Sequence, residues 1–205
     1  MIVVSDTSPI NNLAQIDQLH LLQKLYGAVF IPEAVYQELT SPEFWVAGAS
    51  EVKTYNWIQL YSITNRTLVT ALEEELDIGE SYQIREINPD LGVRERDAPT
   101  TLTNRLRSAS ILLAMPINQT DLISEAITLA IELKAEQLLI DERRGRLIAE
   151  RFNLQYTGIL GILVEAKHKG LISEVKPLLD ALINKAGFWV TLALYERVLR
   201  EVDEE

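Results

Sequence analysis

Five short apolar runs alternate along the chain with longer stretches in which apolar residues recur every three or four positions. Short runs rich in β-branched residues predict buried strands, and the longer period predicts amphipathic helices. Strands that alternate with helices predict a three-layer α/β/α sandwich around a mostly parallel sheet. The runs are IVVS at 2–5, AVFI at 28–31, WIQLYSI at 57–63, QLLI at 137–140 and LQYTGI at 154–159.

Capping residues predict where two of the helices begin and end. Thr7 or Ser8 is predicted to cap the first helix, with Pro9 at its first helical position. The stretch TLVTALEEEL has strong helical character, and Asp77 and Gly79 are predicted to end that helix shortly afterwards. These boundaries matter because the residue just after a strand or at a helix start is where sites are usually built.

Composition narrows the kinds of site that this chain can build. The 205 residues predict a single domain over 1–205, with a helical C-terminal extension at 171–205. There is no cysteine and there are two histidines, so a metal would have to be held by carboxylates. The net charge of −11 gives no general basic footprint for nucleic acid. Without a signal peptide or a long apolar span, the chain is predicted to be cytoplasmic, with no membrane contact.

Three acids are predicted to gather at one edge of the sheet. Asp6 and Asp141 each follow a predicted strand directly, and Glu38 lies on the helix after the second strand. An aspartate after a strand is often only a helix cap, and a helical glutamate is often only a solvated charge. Taken together, however, three carboxylates at the carboxyl ends of parallel strands can hold a hard cation such as Mg²⁺.

These motifs resemble those of PIN-domain proteins, and more narrowly the VapC-like prokaryotic subfamily. The similarity rests on VVSDTSPINNLAQIDQLHLLQKLYGAVFIPEAVYQEL, the LDIGE turn, LLIDERRGRLIA, TGILGILVEAKHKGLI and GFWV. The resemblance implies a ribonuclease that depends on Mg²⁺ or Mn²⁺ and cleaves single-stranded RNA. It also implies a toxin with a cognate antitoxin, a possible homodimer, and a PIN-like fold. Asn11 departs from the subfamily pattern, which is usually apolar at that position.

The resemblance also implies which acids form the site. Asp6, Glu38 and Asp141 match the first, second and fourth acids of the family. The third acid opens the helix before the fourth-acid strand, and Glu80 in LDIGES matches it. Removing residues 82–124 would join LDIGES directly to the following helix and strand, with the family's spacing between the third and fourth acids.

The stretch 82–124 is therefore interpreted as an insertion, and three alternatives follow for the third acid. The insertion could be a flexible loop that leaves Glu80 in place, because loop closure costs little extra with length. It could be a lid whose arginines bind RNA phosphates. It could also pull Glu80 away from the helix, so that Glu125 substitutes or the enzyme is inactive. On one continuous helix, Glu80 and Glu125 would face different directions and could not both reach the site.

Several neighbours of these acids are candidates of second rank. Glu142 could assist metal binding beside Asp141, although adjacent residues leaving a strand usually diverge. Thr7 and Ser8 could hold substrate or a metal-bound water instead of only capping the helix. A basic cluster follows the fourth acid and could bind RNA phosphates or the acidic tail of an antitoxin, or could simply pair with surface acids; its members are Arg143, Arg144 and Arg146.

Two other functions are compatible with the same residues. A catalytically inactive PIN-fold binding protein would result if the insertion at 82–124 disrupted the site. An aspartate-based phosphotransferase would use Asp6 as its nucleophile, although the chain lacks the second aspartate that such sites commonly carry two residues later.

Overall fold

The computed structural model describes residues 1–41, 46–87 and 119–204, and it describes side chains for all of these except 77–87 and 119. Five strands are described: β1 Val3–Ser5, β2 Val29–Ile31, β3 Ile58–Leu60, β4 Gln137–Leu139 and β5 Tyr156–Thr157. The first five described helices are α1 Thr7–Gln15, α2 His20–Tyr26, α3 Glu33–Thr40, α4 Ala49–Thr54 and α5 Arg66–Ile87. The remaining described helices are α6 Gln119–Glu132, α7 Arg143–Arg151, α8 Ile159–His168, α9 Lys176–Asn184 and α10 Leu192–Glu201.

The strands form one parallel sheet in the order β3-β2-β1-β4-β5. Each strand lies within one of the five apolar runs, so the prediction of a parallel sheet is confirmed. β1 and β4 are neighbours at the centre of the sheet, with Val4 paired to Leu138 and Ser5 to Leu139. The order reverses beside β1, and in open parallel sheets such a reversal opens a crevice at the carboxyl ends of the strands.

Two separate cores lie on the two faces of the sheet, which confirms the three-layer arrangement. Successive strand residues point to opposite faces: Val3 and Leu139 belong to the first core, whereas Val4, Leu138 and Ile140 belong to the second. The first core buries residues from α1 to α4 and from α8 to α10, with Leu122 of α6, and the second buries residues from α5, α6 and α7. Both faces are therefore covered, as a purely parallel sheet requires.

The start of the first helix differs from the prediction. Asp6, not Thr7 or Ser8, is the N-cap of α1, and its carboxylate accepts a hydrogen bond from the Ser8 backbone N–H at 3.1 Å. α1 begins at Thr7, so Pro9 occupies its third position and not its first. A carboxylate that follows a strand directly can cap the next helix without moving, which favours the aspartate over the two hydroxyl residues behind it.

The predicted end of the helix at Asp77 and Gly79 is wrong. α5 runs from Arg66 to Ile87 without a break, because one interior glycine costs only about 1 kcal/mol and its neighbours are good helix formers. α6 begins at Gln119, so both ends of the stretch 82–124 are helical. The continuous helix expected after removal of that stretch is not formed: Glu80 lies on α5 and Glu125 lies on α6.

The C-terminal residues contribute to the first core. α9 and α10 lie within the predicted extension at 171–205, and four of their residues are buried in that core, together with Val202 just after α10: Leu179, Leu182, Val198 and Leu199. The division of the chain into one domain with an insertion and an extension stays a prediction. In the part of the chain that is described, no helix combines the length and the apolar character that a bilayer crossing needs.

Candidate metal and active site

Asp6 lies at the carboxyl end of β1, at the centre of the sheet. Its backbone N–H donates to the Leu139 carbonyl at 3.1 Å, which continues the β1–β4 pairing through this residue. The side chain is 2% exposed, and one carboxylate oxygen accepts from Ser8 N. Asp6 is therefore a buried acid whose position is fixed by both the sheet and the first turn of α1.

Asp141 and Glu142 follow β4 and point in different directions. One oxygen of Asp141, Oδ1, accepts from the backbone N–H of Ile159 at 3.0 Å and from Arg146 at 2.9 Å. Glu142 instead accepts from the Ser8 hydroxyl at 2.7 Å. Asp141 is thus held towards the start of α8, whereas Glu142 is held towards α1 and Asp6. The expected divergence of these adjacent residues is therefore observed, and of the two it is Glu142 that lies beside α1.

A glycine makes room for the Asp141–Arg146 pair. Arg146 also donates to the Ile140 carbonyl at 2.9 Å, so its guanidinium is fixed at two points. A Cβ atom on Gly158 would lie 2.0 Å from the Arg146 guanidinium and 2.4 Å from Asp141 Oδ1. The close approach of these groups therefore depends on glycine at position 158.

Glu38 approaches the same region from α3. It is partly buried on the helix that follows β2, and it lies near Thr7 and Glu142. The three chain segments that carry Asp6, Glu38 and Glu142 thus meet at the carboxyl ends of β1, β2 and β4. The sequence predicts Asp6, Glu38 and Asp141 at this edge; in the structure Glu142 stands there with Asp6 and Glu38, whereas Asp141 is bound to Arg146 and to the Ile159 N–H.

A cavity of about 160 Å³ lies between these residues. It is polar on the side of α1, α3 and α7 and apolar on the side of α6, which contributes Leu122 and Ile123. Ile123 stands two positions before Glu125. If residues 82–124 were removed, Glu80 would take that position, so Ile123 stands where the third acid is predicted. The described lining residues are Asp6, Thr7, Ser8, Asn11, Asn12, Glu38, Leu122, Ile123 and Glu142.

Burial and crowding favour the neutral form of three acids. Burial raises the pKa of Asp6 well above its usual value, and the neighbouring Glu142 carboxylate raises it further. Burial raises the pKa of Asp141 to about 6, although the Ile159 N–H and Arg146 oppose this. Burial also raises the pKa of Glu38, with the Thr7 hydroxyl lowering it and Glu142 raising it. These carboxylates are therefore costly to ionise together unless a positive charge joins them.

Several buried oxygens of the same groups suit a cation. Each is hidden from solvent and has no hydrogen-bond partner among the described residues: Thr7 Oγ1, Glu38 Oε2, Asp141 Oδ2 and Glu142 Oε2. Such an oxygen costs about 1–3 kcal/mol when it is left unpaired. Carboxylate oxygens are what Mg²⁺ and Mn²⁺ prefer, so the donor set fits such an ion. Within the described residues, no three acids yet stand close enough to form a complete cation site.

The two glutamates considered as the third acid lie on different helices. Glu80 is on α5, and its side chain lies outside the described residues. Glu125 is on α6 and is 7% exposed. It accepts from the Ala34 backbone N–H at 2.9 Å and pairs with Arg66. Both of its oxygens are therefore bound to protein groups away from the cavity.

The three arginines of the RRGR cluster have different surroundings. Arg146 is bound to Asp141, and Arg144 donates to the Leu76 carbonyl at 3.2 Å. Arg143 is exposed at the start of α7, directly after Glu142.

Sequence reasoning missed three residues of the cavity wall. Asn12, Leu122 and Ile123 line it but carry no motif that marks them as functional. Asn11 also lines the cavity. The polar residue that departs from the apolar subfamily pattern therefore lies in the cavity wall. The position of α6 could not be read from the sequence, because it depends on where the chain returns after the stretch 82–124.

The family comparison agrees with this architecture. The family model DUF3368: PIN domain matches residues 2–86 and 111–204. The chain therefore belongs to this PIN-domain family. PIN domains are generally nucleases that use divalent metal ions. The internal residues that the family model does not match, 87–110, fall inside the stretch interpreted as an insertion. No curated protein matches the sequence.

Proposed function

We propose that this protein is an endoribonuclease that depends on Mg²⁺ or Mn²⁺ and cleaves single-stranded RNA. The observation that carries the proposal is the cavity between Asp6, Glu38 and Glu142, with buried carboxylate oxygens that have no described partner. The proposal also includes Asp141, which lies just after β4 and is bound to Arg146 and to the Ile159 N–H in the described structure. The finer assignment to RNA rests on the resemblance to VapC-like proteins.

The proposal gives a task to the acids and to two of their neighbours, Ser8 and Arg143. Asp6, Glu38, Asp141 and Glu142 would hold the ion, and Ser8 would fix Glu142 through its hydroxyl. A bound Mg²⁺ supplies an activated water and neutralises charge on a phosphodiester. Arg143 would contact the RNA backbone beside Glu142, because a guanidinium binds phosphate oxygens in a bidentate manner.

The same resemblance supports a biological setting. We propose that the protein is the toxin of a toxin–antitoxin pair and acts in the cytoplasm, where its RNA substrate is found. A cognate antitoxin would inhibit it by covering the cavity, and a homodimer is the expected assembly. Co-purification of the chain with the product of the adjacent gene would test the pairing directly.

The activity is tested by incubating the purified full-length chain with single-stranded RNA, duplex RNA and single-stranded DNA. We expect cleavage of single-stranded RNA in the presence of Mg²⁺ or Mn²⁺ and complete loss of cleavage on chelation. A matched reaction with K⁺ at the same ionic strength controls for salt. Cleavage that persists in excess chelator would contradict a role for the acids as cation ligands.

Divalent cations are expected to stabilise the fold more at neutral pH than in acid. The folded pKa values of Asp6, Glu38 and Asp141 are raised, so the folded chain takes up protons more readily than the unfolded chain. The stability due to these protons is complete below the unfolded pKa values. It is lost as pH rises through the folded pKa values, which for Asp141 is about 6. A cation then replaces the protons.

The measurement is the melting temperature with and without saturating Mg²⁺ at about pH 5 and about pH 7.5. At a concentration about 100 times its Kd, a ligand adds about 2.7 kcal/mol. For a chain of this length, that is a rise of roughly 5–10 °C near neutral pH. A much smaller rise is expected in acid. Equal rises at both pH values would show that the ion binds elsewhere.

A second candidate function is favoured by the apolar wall of the cavity. Leu122 and Ile123 occupy the side on which a third acid was expected, so the chain could be an inactive PIN-fold binding protein. That candidate predicts no cleavage of any RNA, with or without Mg²⁺. The cleavage assay above therefore separates the two functions.

A further inference from the structure

Glu125 ties α6 to the start of α3. Its Oε2 atom accepts from the Ala34 backbone N–H at 2.9 Å, and its Oε1 atom pairs with the Arg66 guanidinium. Glu125 as a whole is 7% exposed. A buried carboxylate of this kind is stable only when its oxygens are bound, and here a helix N-terminus and an arginine bind them.

Arg66 extends the same connection to the first residue of α3. Its guanidinium lies 3.3 Å from Glu33 Oε2, and the Ser62 hydroxyl donates to the other Glu33 oxygen at 2.7 Å. The first two residues of α3, Glu33 and Ala34, are therefore both held by groups from neighbouring elements. The start of α3 is fixed in position and in rotation about its axis.

Glu38 lies four residues after Ala34 on this helix of eight residues. Residues four apart lie on the same face of a helix, about one turn from each other. A shift or rotation at Ala34 is therefore transmitted to the Glu38 carboxylate. Glu38 faces the cavity, whereas Glu125 holds the other end of the same helix.

We propose that Glu125 is a positioning residue, which anchors α3 so that Glu38 is held beside Asp6 and Glu142. It does not contact the ion or the substrate itself. This role rests on the proposed function, in which Glu38 is a cation ligand. The proposal also bears on the choice between Glu80 and Glu125 as the third acid. In the described structure Glu125 acts through α3 and does not enter the cavity.

The test compares Glu125 with Glu204, since each accepts from backbone N–H groups at the start of a helix and pairs with a basic side chain. Glu204 accepts from the backbone N–H groups of Val175 and Lys176, at the start of α9, and pairs with Lys167 at 2.9 Å. α9 carries none of the acids of the cavity. Glu204→Ala is therefore the matched control for Glu125→Ala, and both variants are expected to lower the melting temperature.

Isothermal titration calorimetry of the full-length protein with Mg²⁺ gives the main result. Glu125→Ala should weaken Mg²⁺ binding by about 10–100-fold, the usual effect of removing a group that orients a ligand. Glu204→Ala should change it less than about threefold. Glu125→Gln keeps an oxygen for the Ala34 N–H and should restore much of the affinity; it is also the variant to use if Glu125→Ala does not fold.

Amide hydrogen exchange in α3 tests, independently of Mg²⁺ binding, whether Glu125 anchors this helix. Glu125→Ala should speed exchange at Ala34 and through Glu38, whereas Glu204→Ala should leave α3 protected. Unchanged exchange in α3, or equal losses of Mg²⁺ affinity in both alanine variants, would overturn the proposal. If the wild-type protein binds no Mg²⁺, the proposed function fails, and the exchange data alone decide whether Glu125 anchors α3.

Discussion

Replacing Asp6 by asparagine is expected to slow Mg²⁺-dependent RNA cleavage severely while leaving the fold intact or more stable. Asparagine keeps the oxygen that accepts from Ser8 N and remains a good helix cap. It removes the charge that would bind the ion. Loss of several kcal/mol of transition-state stabilisation lowers the rate roughly a thousandfold.

The stability of Asp6→Asn should move in the opposite direction to its activity. Asp6 is buried, and its pKa is raised by burial and by the Glu142 carboxylate. Near neutral pH and without a divalent cation, the neutral side chain should raise the free energy of unfolding, because it removes the cost of a buried carboxylate beside Glu142. Urea unfolding in the presence of chelator measures this change.

Asp17→Asn is the matched control for this experiment. Asp17 is exposed after α1, and its replacement removes the same charge at a distance from the cavity. We expect it to change neither cleavage nor stability by a measurable amount. A similar loss of cleavage in both variants would mean that overall charge, and not the position of Asp6, sets the activity.

Replacing Gly158 by alanine is expected to destabilise the protein and to disturb Asp141. The added methyl group would meet the Arg146 guanidinium and Asp141 Oδ1 at contact distances that atoms do not adopt. Three hydrogen bonds hold these two groups in place, to the Ile140 carbonyl, to the Ile159 N–H and to each other. Overpacking of this kind costs about 1–3 kcal/mol, or a fall in melting temperature of roughly 3–10 °C.

A double-mutant cycle identifies the cause of that loss. In an Arg146→Ala background the guanidinium is gone, so Gly158→Ala should cost clearly less than it does alone. Additive losses would show that the clash with Arg146 is not responsible. Mg²⁺ titration of the single Gly158→Ala variant should also show weaker binding, because Asp141 Oδ1 can no longer keep its present position.

The sheet could be predicted from the sequence because each strand is a local signal. IVVS and QLLI are apolar on both faces, and such runs are buried only between two layers of helix. The predicted end of the helix at Gly79 is wrong because it rested on a local preference that packing overrides. A local preference of about 1 kcal/mol cannot end a helix that packs along a neighbour, and α5 packs along α6.

The acids were harder to assign because their side chains leave the same sheet edge in different directions. Asp141 and Glu142 are adjacent in sequence, and only the structure shows that Glu142 is bound to Ser8 while Asp141 is bound to Arg146 and α8. Asp6 was assigned correctly to the end of β1, whereas its role as a ligand stays a prediction. Ile123 could not be placed at the cavity without knowing where α6 begins.

The pairing of β1 with β4 has a consequence for how the site comes into being. Asp6 is synthesised well before the strand that pairs with β1, because Gln137–Leu139 follow it by more than 100 residues. Closing so long a loop is slow compared with forming helices. The cavity therefore cannot exist on a growing chain until β4 and Glu142 have emerged. During translation there is therefore an interval in which the cavity between Asp6, Glu38 and Glu142 is not yet assembled.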